Sequence, residues 1–125
     1  MIFGIGVDMV QVSRLENGLA RFGEHYADRL LAPEEHAAFF AARDPARFLA
    51  KRFAAKEAFS KATGTGLRAP LHLRNLAVTH SELGQPKFNP HPELQTWLDQ
   101  IGIVSHHLSI SDEQEYVIAF VVLEK

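Results

Sequence analysis

The feature that most constrains the fold is a long helical segment bounded by Asp44-Pro45 at one end and by Gly64-Thr65-Gly66 at the other. Proline is favoured in the first turn of a helix, and glycine is favoured just after the last turn. We therefore predict one long central helix between these residues, with the rest of the chain packed around it.

Residues 2–10 alternate with the period of a β-strand. Apolar residues are predicted on one face, and two glycines with an acid on the other: Phe3, Ile5 and Val7 against Gly4, Gly6 and Asp8. Glycine in a strand lets another backbone or a ligand approach closely. Asp8 is therefore expected near a strand end, on the face where such an approach is possible.

The remaining periodicity predicts three more helices and four more strands. Helices are predicted over residues 13–22, 33–43 and 92–101, and strands over 75–79, 87–89, 103–111 and 116–124. Ser13 and Glu16 have the spacing of a capping box. A strand first, helices in the middle and a hairpin last predict an α+β fold. We expect a mostly antiparallel sheet packed against the long helix, in a single domain covering residues 1–125.

Composition narrows the function classes. The chain has 125 residues, a net charge of -2 and no cysteine, which disfavours general nucleic-acid binding and excludes a thiol nucleophile. The N-terminal residues do not resemble a signal peptide, because Asp8 interrupts the apolar run and no basic residue precedes it. The longest apolar run, residues 116–123, is too short for a membrane span. We expect a soluble cytoplasmic protein that binds neither nucleic acid nor membranes.

Within the long helix, one acid stands among several bases. Glu57 and Lys61 are four residues apart and share a helix face, and Arg52 and Lys56 have the same spacing on a neighbouring face. A carboxylate beside ammonium groups suits a magnesium ion with bound phosphates. If Asp8 also reaches Glu57, two carboxylates form such a site. The same segment is also typical of a solvated helix, and Asp8 of a strand-end cap.

A basic stripe precedes this segment, because Arg43, Arg47 and Lys51 repeat every four residues. On a mildly acidic protein, this pattern predicts a local anionic ligand and not a polyanion. The segment Gly64-Thr65-Gly66 is compatible with a phosphate cradle, although a helix end is the commoner role of such glycines. Of His106 and His107, only one can face a given site, because neighbouring residues of a strand point to opposite faces.

Three segments together resemble the holo-acyl-carrier-protein synthase family, the small bacterial branch of the 4'-phosphopantetheinyl transferases. They are Gly4-Ile5-Gly6-Val7-Asp8, the helical segment from Arg52 to Ala62, and Gly64-Thr65-Gly66. The resemblance extends over nearly the whole chain and includes the strand from His107 to Ser111. It implies an enzyme that transfers the 4'-phosphopantetheine arm of coenzyme A to a serine hydroxyl of apo acyl carrier protein.

The resemblance also implies the setting of that reaction and its catalytic residues. The transfer is magnesium-dependent, releases 3',5'-ADP and supports fatty acid biosynthesis. Asp8 and Glu57 match the magnesium-binding acids, and Lys61 matches a lysine near the coenzyme A phosphates. Members of the family are typically homotrimers with active sites between subunits.

The binding residues follow from the same resemblance. Further contacts with coenzyme A are implied for four residues: Arg52, Lys56, Gly64 and His107. Arg14 and Arg21 match arginines of the first helix that face the acidic carrier protein.

Two positions depart from the family pattern. Asp112 stands where many members have a histidine, which puts the role of that position in doubt, and Thr63 stands where a larger apolar residue is common.

Two other functions stay open from the residues alone. A module that binds coenzyme A or an acidic partner without chemistry has no need of both Asp8 and Glu57. A magnesium-dependent phosphohydrolase needs a water-positioning group, for which no motif is visible.

Overall fold

A computed structural model of the chain, which describes residues 1–125, confirms the predicted α+β fold with antiparallel sheets. The strands are β1 (Ile2–Gln11), β2 (Leu76–His80), β3 (Pro86–Pro90), β4 (Ser105–Asp112) and β5 (Tyr116–Glu124). The helices are α1 (Val12–Phe22), α2 (Glu24–Leu30), α3 (His36–Ala41), α4 (Pro45–Thr63) and α5 (Pro92–Gln100). Short 3-10 turns cover Pro33–Glu35 and Leu73–Asn75.

Two antiparallel sheets flank α4. The larger sheet has the strand order β1-β5-β4, and the smaller one is the hairpin β2-β3. In β5 the odd-numbered residues Val117, Ala119, Val121 and Leu123 are buried against α4. Even-numbered residues of the same strand therefore point to the other side of the sheet. This alternation defines an inner face towards α4 and an outer face away from it.

The glycines of β1 allow the strand to lie directly on α4. A Cβ atom at Gly4 would overlap the Ala62 carbonyl oxygen, and one at Gly6 would overlap the Ala58 carbonyl oxygen. The predicted close approach of another backbone is thus confirmed, and that backbone belongs to the long helix. Ile5, Val7 and Met9 of β1 point to the outer face instead, where Ile5 is 59% exposed.

The ends of α4 agree with the sequence prediction. Asp44 accepts a hydrogen bond from the Arg47 backbone N–H at 3.1 Å, and Gly64 closes the helix in the left-handed conformation with φ 81°.

Three local predictions were wrong. The start of α1 has no side-chain cap, so Ser13 and Glu16 do not form a capping box. Residues 24–30 form an unpredicted helix, and the segment after Pro33 is a 3-10 turn before a short α3.

None of the helices combines the length and the apolar character that a membrane crossing requires.

Candidate active site

Asp8, Lys61 and the backbone of β1 meet where the strand crosses the second half of α4. Lys61 Nζ donates to Asp8 Oδ1 at 3.0 Å and to the Val7 carbonyl oxygen at 2.9 Å. The Asp8 side chain is mostly buried, whereas that of Lys61 is 53% exposed. The ammonium group therefore lies at the edge of the site, within reach of a ligand.

Glu57 lies one helical turn before Lys61 and is partly buried. Burial raises the pKa of the Glu57 carboxyl group, and the negative charge of Asp8 raises it further. The positive charges of Lys61 and Arg14 act in the opposite direction. The two carboxyl groups are therefore close enough for the charge of Asp8 to act on Glu57, a proximity that their separation along the sequence was unable to establish.

The two carboxylates fit a magnesium ion that also binds substrate. No cluster of three or more aspartate, glutamate, histidine or cysteine residues surrounds them. Magnesium usually keeps several waters and binds through one or two carboxylates plus substrate phosphates. A divalent cation beside Asp8 and Glu57 would offset the negative charge that disfavours ionisation of Glu57. Asp8 and Glu57 therefore suit magnesium, with Lys61 beside them to meet a phosphate.

The structure corrects the prediction for Lys56. Its side chain is fully buried, with Nζ 2.5 Å from Glu35 Oε1 and 2.8 Å from the carbonyl oxygens of Leu30 and Leu73. These acceptors match the three donors of an ammonium group. Burial lowers the pKa of Lys56, and the charge of Glu35 opposes that shift. Lys56 holds the interior together and does not present its charge to a ligand.

Arg52 shares Glu35 with Lys56 and also lines a cavity. Its Nη1 donates to Glu35 Oε2 at 2.8 Å and to the Val78 carbonyl oxygen, and its guanidinium lies 4.5 Å from the centre of the Phe48 ring. The cavity has a volume of about 260 Å³, and its polar lining consists of Arg43, Asp44, Arg47, Lys51, Arg52 and His80. The predicted basic stripe and Arg52 thus share one mostly cationic cavity.

Gly64 has a structural role at the end of α4. Its N–H donates to the Lys61 carbonyl oxygen at 3.0 Å, and the Gly66 N–H donates to the Ser60 carbonyl oxygen at 3.1 Å. The φ of Gly64 lies in the left-handed region, which residues that have a side chain rarely adopt. A contact between Gly64 and a phosphate stays a prediction.

His107 lies on the opposite face of the sheet from Asp8. Residues that pair across an antiparallel sheet point to the same face, and His107 pairs with Val122, which pairs with Ile5. Ile5 points away from α4, because its neighbour Gly6 contacts that helix. A single chain therefore cannot bring His107 and Asp8 to the same small ligand.

An open groove runs along His107 between β4 and the β2-β3 hairpin, with a volume of about 670 Å³. Lys87 lines it from the hairpin, and Phe120 and Val122 line it from the sheet. His107 Nε2 lies 2.5 Å from Glu124 Oε1, and this hydrogen bond lowers the pKa of Glu124. The groove combines the ammonium group of Lys87 and the imidazole of His107 with an apolar floor.

Arg14 and Arg21 lie on the exposed side of α1. The guanidinium carbon of Arg14 is 5.4 Å from the centre of the Phe53 ring, and that of Arg21 is 5.1 Å from the centre of the Phe22 ring. The charge of Arg14 also acts on the Glu57 carboxyl group. Arg14 thus lies on the side of α1 near the carboxylate site.

Asp112 acts as an ion-pair partner of α4. It lies 2.5 Å from Arg47 Nη1 and 3.0 Å from Lys51 Nζ. Burial raises its pKa, but the hydrogen bonds from Lys51 and Arg47 outweigh that effect, and the net shift is downward. These ion pairs of Asp112 join the β4-β5 turn to the first half of α4.

Thr63 is buried and donates to the Ser60 carbonyl oxygen at 2.8 Å, so its hydroxyl group has a hydrogen-bond partner at a position where an apolar residue is common.

The comparisons with known proteins agree with this geometry. Residues 4–121 match the 4'-phosphopantetheinyl transferase superfamily. The chain is 58% identical over 125 residues to the holo-[acyl-carrier-protein] synthase of Thiobacillus denitrificans, covering 100% of this chain and 95% of that protein. It superposes on the crystal structure of the holo-[acyl-carrier-protein] synthase from Neisseria meningitidis with a TM-score of 0.97 and 49% identity, covering 100% of both chains. The enzyme from Bacillus anthracis in complex with CoA (3',5'-ADP) gives a TM-score of 0.83 at 34% identity, covering 100% and 98%.

Proposed function

Because the chain belongs to the 4'-phosphopantetheinyl transferase superfamily, we propose that it transfers the 4'-phosphopantetheine arm of coenzyme A to a serine hydroxyl of apo acyl carrier protein. The reaction releases 3',5'-ADP and requires magnesium. The observation that carries this proposal is the meeting of Asp8, Glu57 and Lys61 at one partly exposed site.

Asp8 and Glu57 are the residues that would hold the magnesium ion. When bound, the ion supplies positive charge to the phosphate oxygens and neutralises charge that develops during transfer. Lys61 contributes a second positive charge, and its 3.0 Å contact with Asp8 keeps it beside the phosphates. The ion held by the two carboxylates and the ammonium group of Lys61 would thus supply two positive charges to the pyrophosphate of coenzyme A.

The transfer forms a bond between the serine oxygen and the phosphorus next to the pantetheine arm. It breaks the bond from that phosphorus to the bridging oxygen, which leaves on 3',5'-ADP. The serine proton passes to Asp8, to Glu57 or to a bound water, and a base whose pKa lies nearer neutrality is better suited to this role. Burial and Asp8 shift the pKa of Glu57 in that direction. Lys61 offsets the negative charge that the leaving group gains.

The nucleotide part of coenzyme A fits surfaces away from the carboxylates. Lys87 offers a cationic contact and His107 a polar one in the outer groove, and Arg52 offers a cationic contact in the cavity beside α4. Since His107 and Asp8 lie on opposite faces of one sheet, a ligand that meets both has to lie between two copies of the chain. This arrangement supports active sites between subunits.

The outer face of the sheet supports a homotrimer. Ile5, Val7 and Met9 are 59%, 52% and 61% exposed, and Phe120 of β5 is 43% exposed beside them. Exposed apolar patches of this kind mark protein–protein contacts. We propose that a second and third copy cover this face.

Acyl carrier protein is proposed to dock on α1. Arg14 and Arg21 supply positive charge, and Phe22, half exposed beside Arg21, supplies an apolar contact. An acidic partner fits this surface and explains local positive charge on a chain whose net charge is -2. A role in fatty acid biosynthesis and a place in the cytoplasm follow from the same proposal.

The test is the intact mass of an apo acyl carrier protein after incubation with the chain, coenzyme A and magnesium. We expect a mass gain of one phosphopantetheine, formation of 3',5'-ADP, and loss of both with EDTA or with Asp8→Ala. Glu82→Ala, in the exposed turn of the β2-β3 hairpin, is the control and should react normally. Binding of coenzyme A without a mass gain would leave a binding module, and release of hydrolysed coenzyme A without a mass gain would indicate a phosphohydrolase.

A further inference from the structure

His106 joins the two sheets through its side chain. In the ladder of backbone hydrogen bonds, β3 pairs with β2, and β4 pairs with β5. The Phe88 N–H, which lies in β3, donates to His106 Nε2 of β4 at 3.1 Å. The imidazole therefore takes the place that a carbonyl oxygen of a neighbouring strand would occupy.

Aromatic packing fixes the orientation of this imidazole. The His106 ring meets the Phe88 ring edge-to-face at 5.3 Å between centres, and Phe88 meets Phe59 of α4 in the same way at 4.8 Å. A continuous row of rings thus runs from α4, through the hairpin, to β4. Because the rings confine His106, its Nε2 stays directed at the Phe88 N–H.

The hydrogen bond also shapes the outer groove. Lys87 precedes Phe88 on one wall, and His107 follows His106 on the other. We propose that His106 is a positioning residue that holds β3 against β4 and so keeps Lys87 and His107 on facing walls of the groove that receives coenzyme A. The identity of the ligand in this inference rests on the proposed function, whereas the hydrogen bond between His106 and Phe88 does not.

Protonation of His106 would remove the hydrogen bond, because a charged imidazole carries hydrogens on both nitrogens and accepts none. The charged groups that face it are Lys87 from β3 and His107 from its own strand, while its β5 partner Leu123 and Phe59 of α4 carry no charge. Burial lowers the pKa of His106 below the ordinary value of 6.5, and the charges of His107 and Lys87 lower it further.

The sign of the pH effect follows from that shift. The unfolded or opened hairpin binds the proton more readily than the closed one, so acid favours opening. The stabilisation by His106 is complete above pH 6.5 and decreases as the pH falls below that value. The groove is thus held closed by a neutral histidine and loosens in acid.

The test compares His106→Leu, which removes the acceptor, with His106→Gln, which keeps an acceptor near the same position but does not titrate. For His106→Leu we expect hydrogen exchange of the Phe88 amide to rise about tenfold and coenzyme A affinity to fall about tenfold, the effect of one lost hydrogen bond. Turnover at saturating coenzyme A should change by less than about threefold, because the chemistry lies elsewhere. His106→Gln should restore affinity and amide protection, and His72→Gln, on the exposed surface, should behave as wild type.

The pH dependence gives a second readout that a general loss of stability would not reproduce. After correction for the intrinsic exchange rate, protection of the Phe88 amide in wild type should fall between pH 7 and pH 5, within the range where histidine titrates. In His106→Gln it should stay constant. Equal Phe88 exchange in wild type and His106→Leu would overturn the proposal, even if the chain transfers phosphopantetheine. A wild-type chain that binds no coenzyme A would instead overturn the proposed function and the role of the groove.

Discussion

The surroundings of Glu57 disfavour the ionised form of its carboxyl group. Burial and the neighbouring carboxylate of Asp8 both disfavour its ionised form, and two positive charges only partly compensate. Shifted carboxyl groups of this kind concentrate at functional sites, where an ionised or proton-accepting group is needed despite its effect on stability. The same residue should therefore be essential for transfer and unnecessary for folding.

Replacing Glu57 by glutamine tests this contrast. We expect phosphopantetheine transfer to fall at least about a hundredfold, because one of the two carboxylates proposed to hold magnesium is lost. The melting temperature without magnesium at pH 7 should stay equal or rise, because the raised pKa means that ionised Glu57 destabilises the fold. In wild type, activity should fall as the pH decreases through this raised pKa, and added magnesium should move the loss to lower pH. A matched Glu82→Gln variant should change neither property, and a marked drop in the melting temperature of Glu57→Gln would contradict the argument.

At the scale of elements, α4 is held in place by a buried cluster of charges around Glu35. Glu35 accepts from Lys56, from Arg52 and from the backbone N–H groups of Ala32 and Val78. This carboxylate joins the segment before α3, the middle of α4 and strand β2. Since Glu57 directly follows Lys56, the buried cluster also fixes the rotation of α4 that turns Glu57 towards Asp8.

Substitution of Lys56 by methionine should destabilise the chain by about 3 kcal/mol, because a buried carboxylate loses one of its cations. The control is Lys51→Met on the same helix, whose ion pair with Asp112 is partly exposed and is worth less than about 1 kcal/mol. Urea unfolding gives both values. The double variant Lys56→Met, Glu35→Gln should lose less than the sum of the two single variants, by about 1–3 kcal/mol. Additive losses would show that the two side chains are not coupled.

The sequence was sufficient for the helices and strands whose patterns are strong. The bounds of α4 follow from Pro45 and Gly64, and the hairpin β4-β5 from alternating apolar residues. The position of Lys56 was not predicted, because a single lysine on a helix is usually exposed. The available signal was its spacing from Leu49, Arg52 and Phe59, which places it on a buried face. Its partner Glu35 and the contact of His106 with Phe88 depend on tertiary packing that no local pattern encodes.

At the scale of the whole molecule, the two faces of the larger sheet have different roles. The inner face packs on α4 and carries Asp8, and the outer face carries His107 beside exposed apolar side chains. Residues proposed to contact one substrate are therefore separated by the thickness of the sheet. In the proposed homotrimer, the outer face of one copy would meet the carboxylate site of the next.

Mixing two defective variants tests this arrangement. Asp8→Ala removes an acid proposed to hold magnesium, and His107→Ala should weaken coenzyme A binding about tenfold by loss of one hydrogen-bonding contact. When the two variants are unfolded and refolded together, one intact Asp8 can face one intact His107 from a neighbouring chain. At a coenzyme A concentration that does not saturate, about a quarter of the sites should regain normal activity, since each position is filled correctly half of the time.

The matched control is a mixture of Asp8→Ala chains and Glu57→Ala chains, refolded together in the same way. Both lesions lie on the same side of the proposed interface, so every mixed site has at least one defective carboxylate and activity should not recover. Sedimentation of the mixtures establishes that the chains have exchanged and gives the mass of the assembly. If mixed oligomers of Asp8→Ala and His107→Ala are no more active than the two variants measured separately, both residues belong to sites built by one chain. That result is incompatible with the opposite orientation of Asp8 and His107 across the sheet, so recovery of activity is the outcome that the geometry requires.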